Sequence, residues 1–367
     1  MTEIQSSVYG HIAVACNFYE GNGHVYLAEL TVLHWGAFRL RPMNGICQVH
    51  RLIYLKSRGI AMNKETIRRW IKNPWQIAVS ISRYGWLNSL SDKQYLSILY
   101  RANFGMKLCW ENPVTFSEKL QWLKLNDRQP VYSLMVDKYE AKNYVRERIG
   151  DAHIVPVLGG PWNHPDEIDY DALPEQFVLK TTHDCGGVLI CRDKSKFNRE
   201  AAKEKLLKHL HRNYYLHCRE WPYKNVQPRI FAEMYLSAQD TVTGVKDYKF
   251  FTFNGEPKLM YIAGGRDYAQ KDKQVVYADF YDMEFNHVDL CIDHDNAPVP
   301  PEKPQNFDLM VKCARELAQG TKHLRVDFYE VNGQLFVGEL TFFHCGGLHE
   351  FKTKEWDKRM GDWISLT

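Results

Sequence analysis

The sequence predicts an α+β protein preceded by a mainly helical N-terminal region. Apolar residues recur at helical spacing through YLSILYRANFGMKL and TFSEKLQWLKL, between Ser91 and Leu125. Beyond residue 156 the texture changes to short alternating strands separated by helical runs. Two Asn-Gly pairs, Asn254-Gly255 and Asn332-Gly333, sit between such strands, where a tight hairpin turn demands residues that tolerate positive φ.

Residues 37–74 are strongly basic: Arg39, Arg41, Arg51, Lys56, Arg58, Lys64, Arg68, Arg69 and Lys72 face one acid, Glu65. The aromatic and apolar run Trp75 to Leu90 follows. Together, residues 37–90 have the make-up of a segment that rests on an anionic membrane surface. Thr115 and Glu118 form a capping-box pattern, and Pro113 separates that helix from the one before it. One further helix is expected from Pro130 to Ile149. PEQFVLKTTHD then reads as a strand, REAAKEKLLKHLHRNYY as a helix and RIFAEMYL as a strand. KDYKFFTFNGEPKLMYIAGG is a hairpin, Asp308 to Gln319 a helix, and His349 to Ile364 closes with a helix.

The richest stretch is Arg325 to Gly347, RVDFYEVNGQLFVGELTFFHCGG. Polar residues interrupt its apolar alternation at Arg325, Asp327, Glu339 and Thr341. A three-residue loop of Val331, Asn332 and Gly333 would put all four on one face, since side chains alternate along a strand. Asp327 and Glu339 would then be diagonal neighbours, roughly 7–8 Å apart at the backbone. Two carboxylates that near repel unless a cation lies between them, and oxygen-only ligands suit Mg2+. Phe18 to Gly36 repeats Phe328 to Gly346 at an offset of 310, with ten of nineteen positions identical. That copy keeps Glu29 but has Ala15 and Asn17 where the second has Arg325 and Asp327, so it lacks the second negative charge. Residues 1–74 thus read as a degenerate partial repeat of the C-terminal hairpin plus a basic linker.

Other residues offer chemistry. Lys180 stands on a strand ahead of Gly186-Gly187, where backbone N–H groups can approach an anion with no Cβ in the way. Neither a G-x-x-x-x-G-K-[ST] nor a G-x-G-x-x-G pattern occurs. Lys249 and Asp247 share a hairpin face, Glu233 ends a strand, and Arg266 follows a glycine pair, placed to clamp a phosphate. Asn213 to Asn225 (NYYLHCREWPYKN) crowds aromatics with Arg219, Glu220 and Lys224, a composition suited to a sugar or nucleotide surface.

In order along the chain, TFSEKLQWLKL, DKYEAKNYV, FVLKTTHDCGGVLIC, NYYLHCREWPYKN, PRIFAEMYL, KDYKFFTFNGEPK, RVDFYEVNGQLFVGELTF and EWDKRMGDWI resemble the TupA-like branch of the ATP-grasp superfamily, named for teichuronopeptide biosynthesis. The resemblance covers about four fifths of the chain, from Trp75 onward. It implies an ATP-grasp fold: a helical region over 75–155, ATP-binding subdomain A over 156–236, and subdomain B with the magnesium site over 237–367. It implies ATP and Mg2+ as cofactors. Lys180 resembles the phosphate-contacting lysine, Gly186 and Gly187 the loop that closes over the phosphates, and Glu233, Tyr235 and Leu236 the adenine and ribose hinge. Asp327 and Glu339 look like the magnesium carboxylates, with Thr341 where many relatives carry a liganding Asn. Arg325, Arg266 and Lys249 would serve the transferred phosphate.

The implied reaction is ATP-dependent carboxylate–amine ligation through an acyl phosphate. The family's setting points to an amino acid or amine joined to a uronic acid of a cell-surface polysaccharide. A glycosyltransferase in capsule or O-antigen synthesis is the competing expectation, since Asp169-Tyr170-Asp171 and Asp293-His294-Asp295 fit an Asp-x-Asp metal pair. A degenerate binding protein is disfavoured because the C-terminal hairpin keeps both carboxylates. The net charge of +3 gives no case for nucleic acid, and no apolar run is long enough to span a bilayer. Nine unpatterned cysteines and the absence of a secretory pattern at the start are expected of a cytoplasmic protein, with peripheral contact at the inner membrane surface through residues 37–90.

Overall fold

The α+β expectation holds in the computed structural model, which describes residues 12–21, 24–34, 52–55, 60–62, 73, 75–82, 85–237, 245–264, 277–292 and 294–367. The chain divides into two units, residues 1–84 and 85–367. In the first unit, β1 (Ile12–Gly21) and β2 (His24–His34) form an antiparallel hairpin, and β3 (Leu52–Leu55) and β4 (Ile60–Met62) pair with β2. Asn17 lies opposite Glu29, and the register slips immediately beyond, so that Phe18 faces Leu27. Helix α1 (Trp75–Ser82) closes this unit. Most of the basic segment expected at a membrane lies outside the described residues. No helix among the described residues is long and apolar enough to cross a membrane.

The second unit begins with α2 (Asp92–Phe104) and α3 (Phe116–Asn126). Ser91 with Gln94 and Thr115 with Glu118 both make reciprocal capping boxes, which satisfy N–H groups that a helix start leaves unpaired. The single helix expected over 130–149 is instead two, α4 (Val131–Val136) and α5 (Ala141–Ile149). Asp137 breaks it. Its carboxylate accepts N–H bonds from Tyr139 at 2.9 Å and Glu140 at 3.1 Å, and its ψ of 112° is extended. The Lys138 N–H is thereby free to donate to the Thr182 carbonyl at 3.0 Å.

A four-stranded antiparallel sheet follows, built from β5 (Val157–Trp162), β6 (Phe177–Thr181), β7 (Val188–Cys191) and β8 (Ile230–Met234) in the order β5-β8-β6-β7. Between β7 and β8 run α6 (Arg199–Leu210) and the short α7 (Tyr215–Cys218). Phe177, Leu179, Ile230 and Ala232 bury one face with Leu206 of α6. Strand alternation leaves Lys180 and Glu233 on the other face.

The larger sheet takes β9 (Asp247–Phe253), β10 (Glu256–Gly264), β11 (Tyr277–Tyr281), β12 (His287–Val288), β13 (His323–Val331) and β14 (Gln334–Thr341) in the order β12-β11-β10-β9-β13-β14. Helix α8 (Phe307–Ala318) buries Phe307, Met310, Ala314 and Leu317, one stripe at helical spacing. Phe307 meets Phe250, which in turn meets Phe328, so the even-numbered residues of β9 and β13 form the α8-facing core. The odd-numbered residues Asp247, Lys249, Arg325 and Asp327 point away from it, and Asp327 pairs directly with Lys249 across β9 and β13.

The three-residue loop expected at the end of β13 is a two-residue turn. Asn332 and Gly333 both have positive φ, 52° and 74°, and Val331 faces Gln334. The missing offset is recovered by a bulge at Gly338, because Phe328 faces Val337 but Asp327 faces Glu339. Asp327 and Glu339 are therefore direct partners rather than diagonal neighbours. A Cβ at Gly338 would lie 2.6 Å from the Tyr329 ring, which explains glycine there. The β1–β2 hairpin slips at the equivalent position, so the sequence echo is also an echo of register.

Helix α9 (Lys354–Asp362) packs on the start of α3, with Gly361 at the closest point. A Cβ on Gly361 would stand 2.2 Å from the Val114 carbonyl oxygen and 2.7 Å from the Phe116 nitrogen. These are backbone atoms and cannot yield locally. Gly361→Ala should therefore lower stability by about 3 kcal/mol. Urea denaturation measures this, and a variant as stable as the wild type would contradict the close packing.

Candidate functional site

Charged residues from both sheets of the second unit line one open cleft of about 450 Å³. Lys180 and Glu233 line it from the smaller sheet, Glu339 from the larger, and Lys138 and Lys142 from the broken helix. Met135, Val145 and Ile154 supply an apolar side.

In the first cluster the buried Glu233 carboxylate pairs with Lys180 through one oxygen and with Lys142 through the other, at 3.1 Å. Burial opposes the Glu233 charge, but Lys180 and Lys142 outweigh it and hold the carboxyl below its ordinary range. Tyr235 and Leu236, expected beside Glu233 in the hinge, are half-buried. Leu236 packs with Val155, Val331 and Phe336, and Tyr235 lies 6.0 Å from the Arg192 guanidinium.

In the second cluster Arg325 grips Asp327 with two parallel bonds, Nε to Oδ1 at 2.6 Å and Nη2 to Oδ2 at 2.7 Å. Lys249 pairs with the same Asp327 oxygen and with Asp247 at 2.5 Å. Burial disfavours the Lys249 ammonium, but Asp327 and Asp247 more than compensate and keep it charged. Burial also dominates at Asp247, whose carboxyl is raised despite Lys249. Arg325 reaches Thr341 Oγ1 at 3.2 Å and donates through Nη1 to His344 Nδ1 at 2.8 Å. Burial, with Arg325 next to it, holds His344 neutral, so this nitrogen can accept.

Glu339 differs from Asp327 in its access to the cleft. Its side chain is 31% exposed, against 4% for Asp327. Burial opposes the Glu339 charge, but Lys138 at 3.0 Å and then Arg325 bring its carboxyl down to about 2. Lys138 also donates to the Asp184 carbonyl at 2.8 Å, so one ammonium ties Glu339 to the glycine loop. Asp184 is itself buried, bonded to Thr181 and, at 2.5 Å, to His209. Gly186 has φ +91°, and a Cβ on Gly187 would fall 1.7 Å from Thr181 Oγ1, so neither position admits a side chain without moving the loop.

These donors fit Mg2+ in one specific way. Glu339 is the accessible carboxylate, while both Asp327 oxygens are held by Arg325 and Lys249. Among the described residues no group of three or more His, Cys, Asp or Glu could hold a metal ion. A Mg2+ site of one or two carboxylates completed by waters and phosphate oxygens needs no such group.

The structure thus brings together Lys180 with Glu233, and Lys249, Arg325, Asp327, Glu339 and Thr341. Arg266 lies outside the described residues. Of the Asp-x-Asp pairs, Asp169 Oδ1 accepts from the Asp171 and Ala172 N–H groups and Asp171 pairs with Arg199, while Asp293 lies outside the described residues. Sequence reasoning missed Lys138, Lys142, Asp184 and His344. The two lysines sit four residues apart, but only the fold reveals that they address different carboxylates.

Removing Lys249 leaves Asp247 and Asp327 buried with one cation lost. Lys249→Met should cost about 3–5 kcal/mol at pH 7. The penalty should be smaller at pH 5 than at pH 7, because the Asp247 carboxyl, raised by burial, takes up its proton more readily. Denaturant titrations at both pH values check this, and a pH-independent loss under about 1 kcal/mol would contradict it.

A family model described as TupA-like ATP-grasp matches residues 118–365. No curated protein matches the chain. Among solved structures, a D-alanine–D-alanine ligase from Bacillus anthracis complexed with ATP aligns at 16% identity and TM-score 0.31, over 57% of this chain and 54% of that one. The chain therefore spans about half of that ligase. A D-alanine–D-alanine ligase from Helicobacter pylori aligns at 13% identity and TM-score 0.39, over 68% and 69%. The ATP-grasp ligase PsnB, complexed with minimal precursor, Mg and ADP, aligns at 12% identity and TM-score 0.31, over 61% and 57%. These superpositions are too loose to carry an argument, whereas the family match covers well over half of the chain. The chain belongs to the TupA-like ATP-grasp family.

Proposed function

We propose that the protein is an ATP-dependent carboxylate–amine ligase. The observation that carries this reading is the single cleft lined by Lys180 and Glu233 from one sheet and Glu339 from the other. In the proposed reaction a substrate carboxylate attacks the γ-phosphorus of ATP, ADP leaves, and an acyl phosphate forms. An amine then attacks the acyl carbon, the C–O bond to phosphate breaks, and an amide and phosphate result. Such chemistry needs charge neutralisation and positioning more than a protein nucleophile.

Lys180 holds the ATP phosphates in this reading, and Gly186 and Gly187 offer backbone N–H groups to them. Glu233, Tyr235 and Leu236 meet adenine and ribose. Glu339, with Asp327 behind it and Thr341 beside it, would hold Mg2+, which when bound neutralises charge on the phosphate oxygens. Arg325 and Lys249 orient Asp327 and, with Arg266, face the transferred phosphate. Lys138 keeps Glu339 ionised and ties it to the glycine loop. The substrates are proposed to be a uronic acid of a cell-surface polysaccharide or its precursor and an amino acid, a choice that rests on the family's setting. The protein is proposed to work in the cytoplasm, at the inner membrane surface when residues 37–90 engage it.

Incubation with ATP, Mg2+, a uronic-acid glycan and mixed amino acids should release ADP and phosphate. Asp327→Asn should reduce that release by at least about 100-fold. A wild-type rate no higher than that of the variant would overturn the ligase reading.

A further inference from the structure

Next to the Gly346 loop lies a carboxylate that none of the roles above uses. Glu220 is 5% exposed. Among the described residues its side chain has neither a hydrogen-bond nor an ion-pair partner, although an unpaired buried charge is costly. Arg219, with φ 53°, turns the chain here, and its guanidinium stacks on Tyr95 at 4.4 Å. Glu220 Oε1 lies 3.8 Å from where a Cβ on Gly346 would stand, in the loop whose His344 meets Arg325.

The groups around Glu220 are Lys124 of α3, Cys218 of α7, Arg325 of β13, Glu339 of β14, and Tyr214 and Tyr223 from its own segment. Lys124 is not its counter-ion, because that ammonium donates to the Gly346 carbonyl at 2.7 Å and to Gln121 at 2.9 Å. The Tyr214 and Tyr223 rings meet edge to face at 4.7 Å, and neither hydroxyl has a hydrogen-bond partner among the described residues. Burial raises the Glu220 carboxyl to about 7, with Lys124 opposing and Glu339 reinforcing.

From this arrangement we infer that Glu220 is the anionic anchor for the ammonium group of the amine substrate, with the Tyr214 and Tyr223 hydroxyls completing its hydrogen bonds. An ammonium has three N–H donors, which one carboxylate and two phenol oxygens satisfy. A metal ion would want more charged ligands than this site has. Before attack the ammonium passes one proton to Glu220, and the neutral amine forms the C–N bond as phosphate leaves. The proton then goes to solvent or to the departing phosphate. The inference rests on the ligase reading and deepens it.

The test compares wild type, Glu220→Gln and Glu220→Asp, using ATP, Mg2+, a uronic-acid oligosaccharide, and either mixed amino acids or hydroxylamine. Hydroxylamine is largely neutral at pH 7.5 and needs no anionic anchor. Glu220→Gln should raise the KM for amino acids at least roughly tenfold while holding the hydroxylamine rate within about twofold, and Glu220→Asp should recover part of the loss. Unchanged amino-acid kinetics, or equal losses with both amines, would overturn the inference. Wild type releasing ADP with neither amine would overturn the ligase reading itself.

A second readout needs no substrate. A carboxyl raised on folding contributes stability that is complete below its unfolded pKa and is lost as pH rises through its folded value. Glu220→Gln should therefore melt higher than wild type at pH 8, with the difference shrinking towards zero at pH 4. A variant that melts lower at every pH would mark Glu220 as a structural group and overturn the assignment.

Discussion

Two carboxylates placed directly opposite each other across β13 and β14 set the terms for the rest of the site. Asp327 and Glu339 cannot both be ionised at that spacing in a buried face without cations, and the fold supplies three. Arg325 comes from the same strand, Lys249 from the adjacent strand, and Lys138 from the break between α4 and α5. Each cation has a second task. Arg325 orders His344 and its loop, Lys249 neutralises Asp247, and Lys138 fixes the glycine loop. Charge balance at one cross-strand pair is thus coupled to the geometry of the whole cleft.

The bulge at Gly338 makes this pairing. Without the bulge, the two-residue turn would set Asp327 opposite Gly338 and turn Glu339 to the other face of the sheet. The same slip between Asn17 and Phe18 in the N-terminal hairpin retains the register, although Asn17 cannot carry the second charge. The echo preserves the backbone device without the chemistry it serves in the second copy.

Much of this was legible in the sequence, for identifiable reasons. Period-two alternation placed Arg325, Asp327, Glu339 and Thr341 on one face, and the Asn-Gly pairs marked both hairpin turns correctly. The register was not legible, because a three-residue loop and a two-residue turn with a bulge consume similar lengths of chain. Nor was the neighbour of β13, since strand order is a tertiary property, and it is strand order that brings Lys249 to Asp327. Lys138 and Lys142 were hidden for the same reason, since their significance lies in distant partners, whereas Glu220 stood out in the aromatic-rich Asn213 to Asn225 segment but its surroundings did not. The Asp137 break could have been anticipated, as an aspartate that caps the following N–H groups competes with the helix.

In the proposed function Glu339 holds Mg2+ in the cleft against ATP phosphates bound by Lys180. Calorimetric titration with a non-hydrolysable ATP analogue, with and without Mg2+, tests it most directly on wild type and Glu339→Gln. The account predicts that Mg2+ tightens binding to the wild type by at least roughly tenfold, about 1.4 kcal/mol, and that Glu339→Gln loses this increment while keeping metal-free affinity. An equal Mg2+ increment in both proteins would contradict it.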